Sequence, residues 1–196
     1  MRRKVFDTLL TTGGLVVVAM LLVAGGLLMW GHNFANSNVH EQLSQHQIFF
    51  PAKGNAALAP AKIGPYLNKY AGQELLTGPQ AKAYADHFIA VHLSEMPYGG
   101  VYSKVSAASI ADPNNATLAA EVQTVFRGTT LRGLLLEAYA FWEMGQIALI
   151  AAWCSFILAG VMLVLSLLGF WHLSKVGETD EVMVRRHAPT ARPVTA

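Results

Sequence analysis

The stretch TLLTTGGLVVVAMLLVAGGLLMWG, residues 8–31, contains no charged side chain. At about 1.5 Å of rise per residue, a helix of this length exceeds the roughly 30 Å thickness of the hydrocarbon core of a bilayer. A second uncharged stretch, QIALIAAWCSFILAGVMLVLSLLGFW, occupies residues 146–171 and is long enough by the same measure. The sequence therefore predicts two transmembrane helices.

The first stretch has one alternative interpretation, a cleaved signal peptide, because basic residues precede it. The apolar core of a signal peptide is usually about 7 to 15 residues long, which is shorter than this stretch. The segment that follows also lacks a small-x-small cleavage pattern, since Asn33 stands two positions before Ala35. These features favour an uncleaved anchor.

Basic residues also predict the orientation of the two helices, because short cytoplasmic segments of membrane proteins are enriched in lysine and arginine. We expect residues 1–7 and a disordered tail of residues 172–196 to lie in the cytoplasm. Residues 32–145 then form a domain outside the cytoplasm. The basic residues that flank the two stretches are Arg2, Arg3, Lys4, Lys175, Arg185, Arg186 and Arg192.

The overall composition agrees with a membrane protein. The mean hydropathy is +0.36 and only 13% of the residues are charged, which is unusual for a soluble globular protein. A net charge of +2 without clustered lysine or arginine argues against nucleic acid as a partner. The single cysteine, Cys154, excludes a disulfide bond within the chain.

The domain between the spans is predicted to be helical, because proline and glycine divide it into segments with helical spacing. We expect the first helix to continue beyond the membrane until Pro51. Further helices are expected over residues 78–95, 103–110 and 112–126. The predicted fold class is therefore an all-α membrane protein with an inserted helical extracytoplasmic domain.

Apolar and small residues in the last part of the chain alternate at spacings of three and four, which is typical of a continuous helix-packing seam. We expect one long helix to carry this seam through the second span, where small residues let helix backbones approach closely. The seam consists of Leu131, Leu134, Ala138, Phe141, Gly145, Ala148, Ala152, Ser155, Ala159, Met162, Ser166 and Gly169.

The first span carries small residues at intervals of seven, Thr12, Ala19 and Gly26. We expect this stripe to pack against the second span in a left-handed antiparallel pair. The alternative is that the small faces contact other subunits. Gly13, Gly14 and Gly25, which are next to this stripe, leave further surface for close contact with such a partner.

The histidines do not have the spacing of a metal site. His40 and His46 are six residues apart and therefore point about 120° apart on a helix, and His87 and His92 diverge by about 140°. The sequence also has no nucleophile, phosphate-loop or dinucleotide motif. We therefore expect no catalytic, cofactor-binding or metal-binding residues, and no enzymatic activity.

Three stretches resemble a group of uncharacterised actinobacterial two-span membrane proteins: NFANSNVHEQLSQHQIFFP at residues 33–51, AYADHFIAVHL at 83–93 and TLRGLLLEAYAFWEMGQIAL at 130–149. Some members of this group are described as aromatic ring-opening dioxygenase subunits, but non-haem iron chemistry needs converging histidine and carboxylate ligands, a pattern that these stretches lack. The resemblance implies a location in the bacterial plasma membrane and assigns no functional residue.

Three functional hypotheses follow from the sequence. The first is a non-enzymatic accessory or structural subunit of a membrane complex, whose partners are the lipid bilayer and other membrane subunits or a second copy. The alternative is an extracytoplasmic ligand-binding or sensing module that signals through a partner. A metal-dependent enzyme is the third, and it needs His40, His46, His87 or His92 to converge with Asp86 or Glu95 in space.

Overall fold

The computed structural model describes residues 3–175, and the regular structure in this range is helical. The predicted all-α class is therefore confirmed for these residues. Two of the helices, α1 and α6, are long and apolar enough to cross a membrane. The helices are α1 (Arg3–Gln45), α2 (Gly64–Leu67), α3 (Gly78–Tyr84), α4 (Ala90–Ser94), α5 (Tyr102–Ala111) and α6 (Ala116–Leu173).

Helix α1 is longer than the predicted first span but ends at Gln45, earlier than the predicted end near Pro51. Gln47 adopts a left-handed conformation with φ 49°, which turns the chain out of the helix. The backbone then pairs with a distant segment, because the N–H of Phe50 donates to the carbonyl of Gln73 at 2.9 Å. This pairing explains why the helical spacing did not continue as helix.

The predicted helix over residues 78–95 is present as three consecutive pieces, α3, a π-helical turn over Ala85–Ile89, and α4. Its start is well defined. The side chain of Thr77 accepts a hydrogen bond from the N–H of Gln80, and the Gln80 side chain accepts from the N–H of Thr77 in return. This capping box satisfies two N–H groups at the start of the helix.

The prediction of a separate helix over residues 112–126 is wrong. Helix α6 begins at Ala116, where the Asn115 side chain accepts a hydrogen bond from the N–H of Leu118 at 3.1 Å, and it continues to Leu173. One helix thus includes residues 116–126 of the expected segment and the second span, and the expected seam from Leu131 to Gly169 lies on it. The predicted cytoplasmic tail starts at residue 172, within this helix, and its residues 176–196 lie outside the described part of the chain, as do Met1 and Arg2.

The described residues form two compact units. The first, here called the paired-helix unit, consists of the residues up to Leu27 and those from Ala151 onward. The second, the middle unit, comprises Leu28–Ile150. The domain boundaries predicted from the sequence remain predictions.

The middle unit has one main hydrophobic core. The elements that contribute to it are α1, a 3₁₀ turn over Ala56–Leu58, α2, α3, the π-helical turn and α6. Phe50 contacts two other aromatic rings in this core. The centroid of its ring lies 5.2 Å from that of Tyr70 and 5.4 Å from that of Tyr84. Aromatic and aliphatic burial of this kind is the main source of stability for the unit. The buried members are Val39, Leu43, Phe50, Leu58, Ile63, Leu67, Leu75, Ala81, Ala85, Ile89 and Leu135.

Candidate functional site

In the paired-helix unit, α1 and α6 pack through positions without side chains. A Cβ atom added to Gly25 would lie 2.6 Å from a ring carbon of Phe156, and one added to Gly169 would lie 2.7 Å from the hydroxyl of Thr11. A Cβ atom added to Gly14 would likewise overlap the hydroxyl of Ser166. Residue numbers rise along α1 as they fall along α6, so the two helices are antiparallel.

The small residues of the predicted α6 seam are placed on the packed side of the helix. Gly145, Ala152, Ala159 and Ser166, which recur every seven residues, are buried. Half-buried positions lie between them on the same face, as expected for a seam whose residues recur at spacings of three and four. These are Ala148, Ser155, Met162 and Gly169.

The predicted stripe on α1 is placed differently. Thr12, Ala19 and Gly26 are exposed, and a Cβ atom added to Gly26 would meet nothing within 4 Å. The expectation that this stripe packs against α6 within the chain is therefore not met. Neighbouring positions make the contact instead, and they are Thr11, Gly14, Val18 and Gly25.

A signal for the true contact was present in the sequence. Thr11, Gly14 and Val18 are spaced by three and four, the same alternation that identified the seam on α6. The predicted stripe has a strict interval of seven and contains small residues alone, which excludes Val18 because valine is not small. A rotation of one residue, about 100° on a helix, separates the predicted and observed faces.

His32 also belongs to the contact between the two long helices. Its Nδ1 donates a hydrogen bond to the carbonyl of Gly145 at 2.9 Å. Both residues belong to the middle unit. The same glycine faces Ala35, because an added Cβ atom would lie 2.9 Å from the Cβ of that alanine. A polar side chain thus satisfies a helix carbonyl at a point of close backbone approach.

The other histidines are separate from one another. The ring of His87 stacks on Tyr66 with centroids 3.5 Å apart, and Nδ1 of His92 donates to the carbonyl of Phe88 at 2.7 Å. His40 and His46 are exposed and line different surface depressions. Among residues 3–175, no three histidine, cysteine, aspartate or glutamate side chains lie close enough together to hold a metal ion.

Asp86, on the π-helical turn, links this turn to α3 and α6. It accepts hydrogen bonds from Lys82 at 3.1 Å and from Arg132 at 3.0 Å. Partial burial acts to raise the pKa of Asp86, but the hydrogen bonds and charges of the two cations outweigh it, so the pKa lies below its ordinary value of 3.8. The Asp86 carboxylate is therefore ionised at neutral pH and forms ion pairs with both Lys82 and Arg132, an arrangement here called the ion-pair clamp.

The outer part of the predicted α6 seam is not packed as expected. Leu134 is 54% exposed, whereas the adjacent Leu135 is only 2% exposed and belongs to the core. In the middle unit, α6 must cover α3 and the π-helical turn as well as α1, so its buried face is rotated from the seam. The leucines of the seam are left on one wall of an open groove.

This groove, here called the Leu134 groove, lies between the middle-unit parts of α1 and α6 and encloses about 360 Å³. Helix α6 supplies a mainly apolar wall, and α1 with the residue just after it supplies a wall rich in amides and imidazole. The lining residues are Asn38, Val39, Gln42, Leu43 and His46 on one side and Leu131, Leu134, Leu135, Glu137, Ala138 and Phe141 on the other.

The groove has the size of a small-molecule site and combines a hydrophobic surface with a few polar groups, as ligand sites in proteins commonly do. Comparison with known proteins assigns nothing to it: no protein-family model matches the chain, and neither a curated protein nor a solved structure matches it.

Proposed function

We propose that this chain is an integral membrane protein with two transmembrane helices, both ends in the cytoplasm, and a helical domain of residues 32–145 on the outer side of a bacterial plasma membrane. The supporting observation is the exposure of the long helices. Only 11% of the most apolar window of each is buried. The core helix of a soluble protein buries its apolar side chains, whereas a membrane helix exposes them to lipid.

The end of α6 supports the same placement. Lys175 lies over the ring of Trp171, with its Nζ 3.7 Å from the ring centroid. Tryptophan and lysine are typical anchors where a transmembrane helix meets the cytoplasmic interface. The cation–π contact gives the basic side chain a partner at this level.

Within the membrane, we propose that the chain is a non-enzymatic accessory or structural subunit of a membrane complex. The stripe Thr12, Ala19 and Gly26 carries this proposal, because it is small, recurs every seven residues and is exposed, and an added Cβ atom at Gly26 meets nothing within 4 Å. Glycine inside a helix costs up to about 1 kcal/mol relative to alanine. Close packing of a helix from another subunit offsets that cost, whereas contact with lipid does not.

The test is affinity purification of the tagged full chain at native expression level in a mild detergent, with quantitative mass spectrometry. We expect a membrane protein to co-purify in constant stoichiometry. A Gly26→Leu variant should lose it by about tenfold, equivalent to about 1.4 kcal/mol of binding. The matched control is Gly160→Leu, because Gly160 is also an exposed glycine of a long helix with nothing within 4 Å of an added Cβ atom.

Two results argue against the subunit proposal. One is the absence of any stoichiometric membrane partner for the wild-type chain. The other is an equal loss of the partner in Gly26→Leu and Gly160→Leu, because the stripe would then have no specific role.

A second candidate function is an extracytoplasmic ligand-binding or sensing module, and the Leu134 groove favours it. The groove places accessible apolar side chains next to polar ones, a combination that ligand sites in proteins commonly have. A ligand that fills it should raise the thermal unfolding temperature of the purified chain, since binding to the folded state stabilises it by mass action.

A further inference from the structure

Aromatic side chains of both long helices lie at one level of the middle unit. On α1, Trp30 and Phe34 stack with ring centroids 5.7 Å apart, and they are 66% and 50% exposed. On α6, the rings of Tyr139 and Trp142 stack at 6.1 Å. The ring of Phe141 connects the two helices, because its centroid lies 6.4 Å from that of Phe34. These five residues are here called the aromatic belt.

The aromatic belt adjoins the ends of the two uncharged stretches. Phe34 is three residues past Gly31, where the first stretch ends, and Trp142 is four residues before Gln146, where the second begins. At roughly 1.5 Å of rise per residue, these offsets are about 5 and 6 Å. The head-group layer adds about 5 to 8 Å to each side of the hydrocarbon core of a bilayer. Because tryptophan and tyrosine concentrate in this layer, the belt has both the position and the composition of an interfacial belt.

The start of α3 lies at the same level, although it is distant in the sequence. Its residues 76–79 are here called the α3 corner. A Cβ atom added to Gly78 would lie 2.5 Å from the Cβ of Trp142, so the corner packs directly against the aromatic belt. Leu76 and Thr77 also border a depression whose other wall belongs to α1 and includes Asn36, two residues past Phe34. Two independent contacts thus hold the α3 corner beside the belt.

The α3 corner is suited to a layer that contains less water than the surrounding solution. It carries no charged side chain, and Pro79 has no backbone N–H. The N–H groups of Leu76 and Thr77 both donate to the side-chain oxygen of Gln80, at 2.9 and 3.0 Å. Satisfying these donors within the chain avoids the cost that an unpaired N–H group incurs away from water. Thr77 is exposed, and Leu76 and Pro79 are half-buried, so their side chains can contact lipid.

From this geometry we propose that the α3 corner is a membrane-contact site, which rests on the head groups of phospholipids in the outer leaflet. Continuity identifies phospholipid as the occupant, because the corner packs on the aromatic belt and the belt adjoins the long, exposed apolar stretches. The first charged residue of α3, Lys82, has its Nζ 5.0 Å from the ring centroid of Tyr139, the belt residue farthest from the hydrocarbon core. This inference rests on the proposed membrane placement and extends it to a segment outside both spans.

The test uses the full wild-type chain in lipid nanodiscs and two phosphatidylcholine probes. One probe carries a photoreactive diazirine on the head group, and the other carries it on an acyl chain. After illumination, labelled peptides are identified by mass spectrometry. We expect the head-group probe to label residues 76–79 as strongly as residues 32–36 and to leave residues 102–111 of α5 unlabelled. The acyl-chain probe should label residues 8–31 and 146–171.

The two probes separate a failure of this inference from a failure of the membrane placement. If the acyl-chain probe labels both spans but the head-group probe labels residues 76–79 no more than residues 102–111, the contact site is overturned and the spans stand. If the acyl-chain probe labels neither span, the membrane placement is overturned, and the contact site with it.

Single cysteines measure the depth of the α3 corner by a second method. In a Cys154→Ala background, a nitroxide spin label is attached at Thr77→Cys or at the matched control Ser94→Cys, since both positions are exposed in the middle unit. Compared with position 94, we expect position 77 to collide less with a water-soluble nickel chelate and more with oxygen, which concentrates in the bilayer. Equal accessibility at the two positions overturns the proposal. The photolabelling of the wild-type chain is independent of any effect that the Thr77 substitution has on the helix cap.

Discussion

Replacing Gly145 with alanine adds a methyl group where α1 and α6 lie close together in the middle unit. The new Cβ atom would lie 2.9 Å from the Cβ of Ala35, so reaching a normal carbon contact of 3.5 to 4.0 Å requires the helices to separate by about 0.6 to 1.1 Å. Alanine has no rotamer that avoids the clash. The separation also lengthens the hydrogen bond from His32 to the Gly145 carbonyl.

Overpacking of this kind costs about 1 to 3 kcal/mol, and the higher helix propensity of alanine returns at most about 1 kcal/mol. Gly133→Ala is the matched control, because Gly133 is on the same helix and an added Cβ atom there meets nothing within 4 Å. We expect the control to be neutral or stabilising by up to about 1 kcal/mol, and the two variants to differ by about 1 to 3 kcal/mol.

The free energy of unfolding is measured by reversible denaturant titration of the purified chain in mixed lipid–detergent micelles. A double-mutant cycle with Ala35→Gly adds specificity, since removing that methyl group should restore part of the stability lost in Gly145→Ala. Equal stabilities of Gly145→Ala and Gly133→Ala, or no coupling with Ala35→Gly, would refute the close packing of α1 and α6 at this point.

Three further predictions concern the middle unit. Leu135→Ala should lower the free energy of unfolding by about 2 to 5 kcal/mol and Leu134→Ala by less than about 1 kcal/mol, because only Leu135 is buried; similar losses in denaturant titrations would contradict the observed rotation of α6. Thr77→Ala should cost about 1 kcal/mol through loss of the capping box, and an unchanged unfolding temperature would argue against that cap. Asp86→Asn should remove a stabilising contribution of the order of 1 kcal/mol that is present at neutral pH. Because the folded pKa of Asp86 is lowered, the wild type should lose this contribution as the pH falls below about 3.8, and stabilities of wild type and Asp86→Asn that do not converge at low pH would count against the clamp.

The parts of the fold that were predictable from the sequence have strong local signals. Two uncharged stretches predicted the long helices, and Pro79 predicted the start of α3, because proline suits the first turn of a helix. The seam of small residues on α6 was also recognisable, since it runs through several heptads. These signals depend on neighbours in the sequence alone.

The parts that were predicted wrongly, or not at all, depend on packing between distant segments. The face of α1 that contacts α6 differs from the predicted one by a single residue, because Val18 takes part in the contact while the smaller Ala19 does not. Similarly, the buried face of α6 shifts to Leu135 in the middle unit, where several helices must be covered at once. The Leu134 groove is a consequence of that shift and has no signature in the sequence.

The central claim, two spans with residues 32–145 outside the cytoplasm, is tested most directly by cysteine labelling in intact cells. In a Cys154→Ala background, single cysteines replace Ser94 and Thr130 in the middle unit and Ser174 beyond α6, all of which are exposed. We predict that a membrane-impermeant maleimide labels the first two positions in intact cells and position 174 only after lysis. Labelling at position 174 in intact cells, or protection of positions 94 and 130 until lysis, would contradict the account.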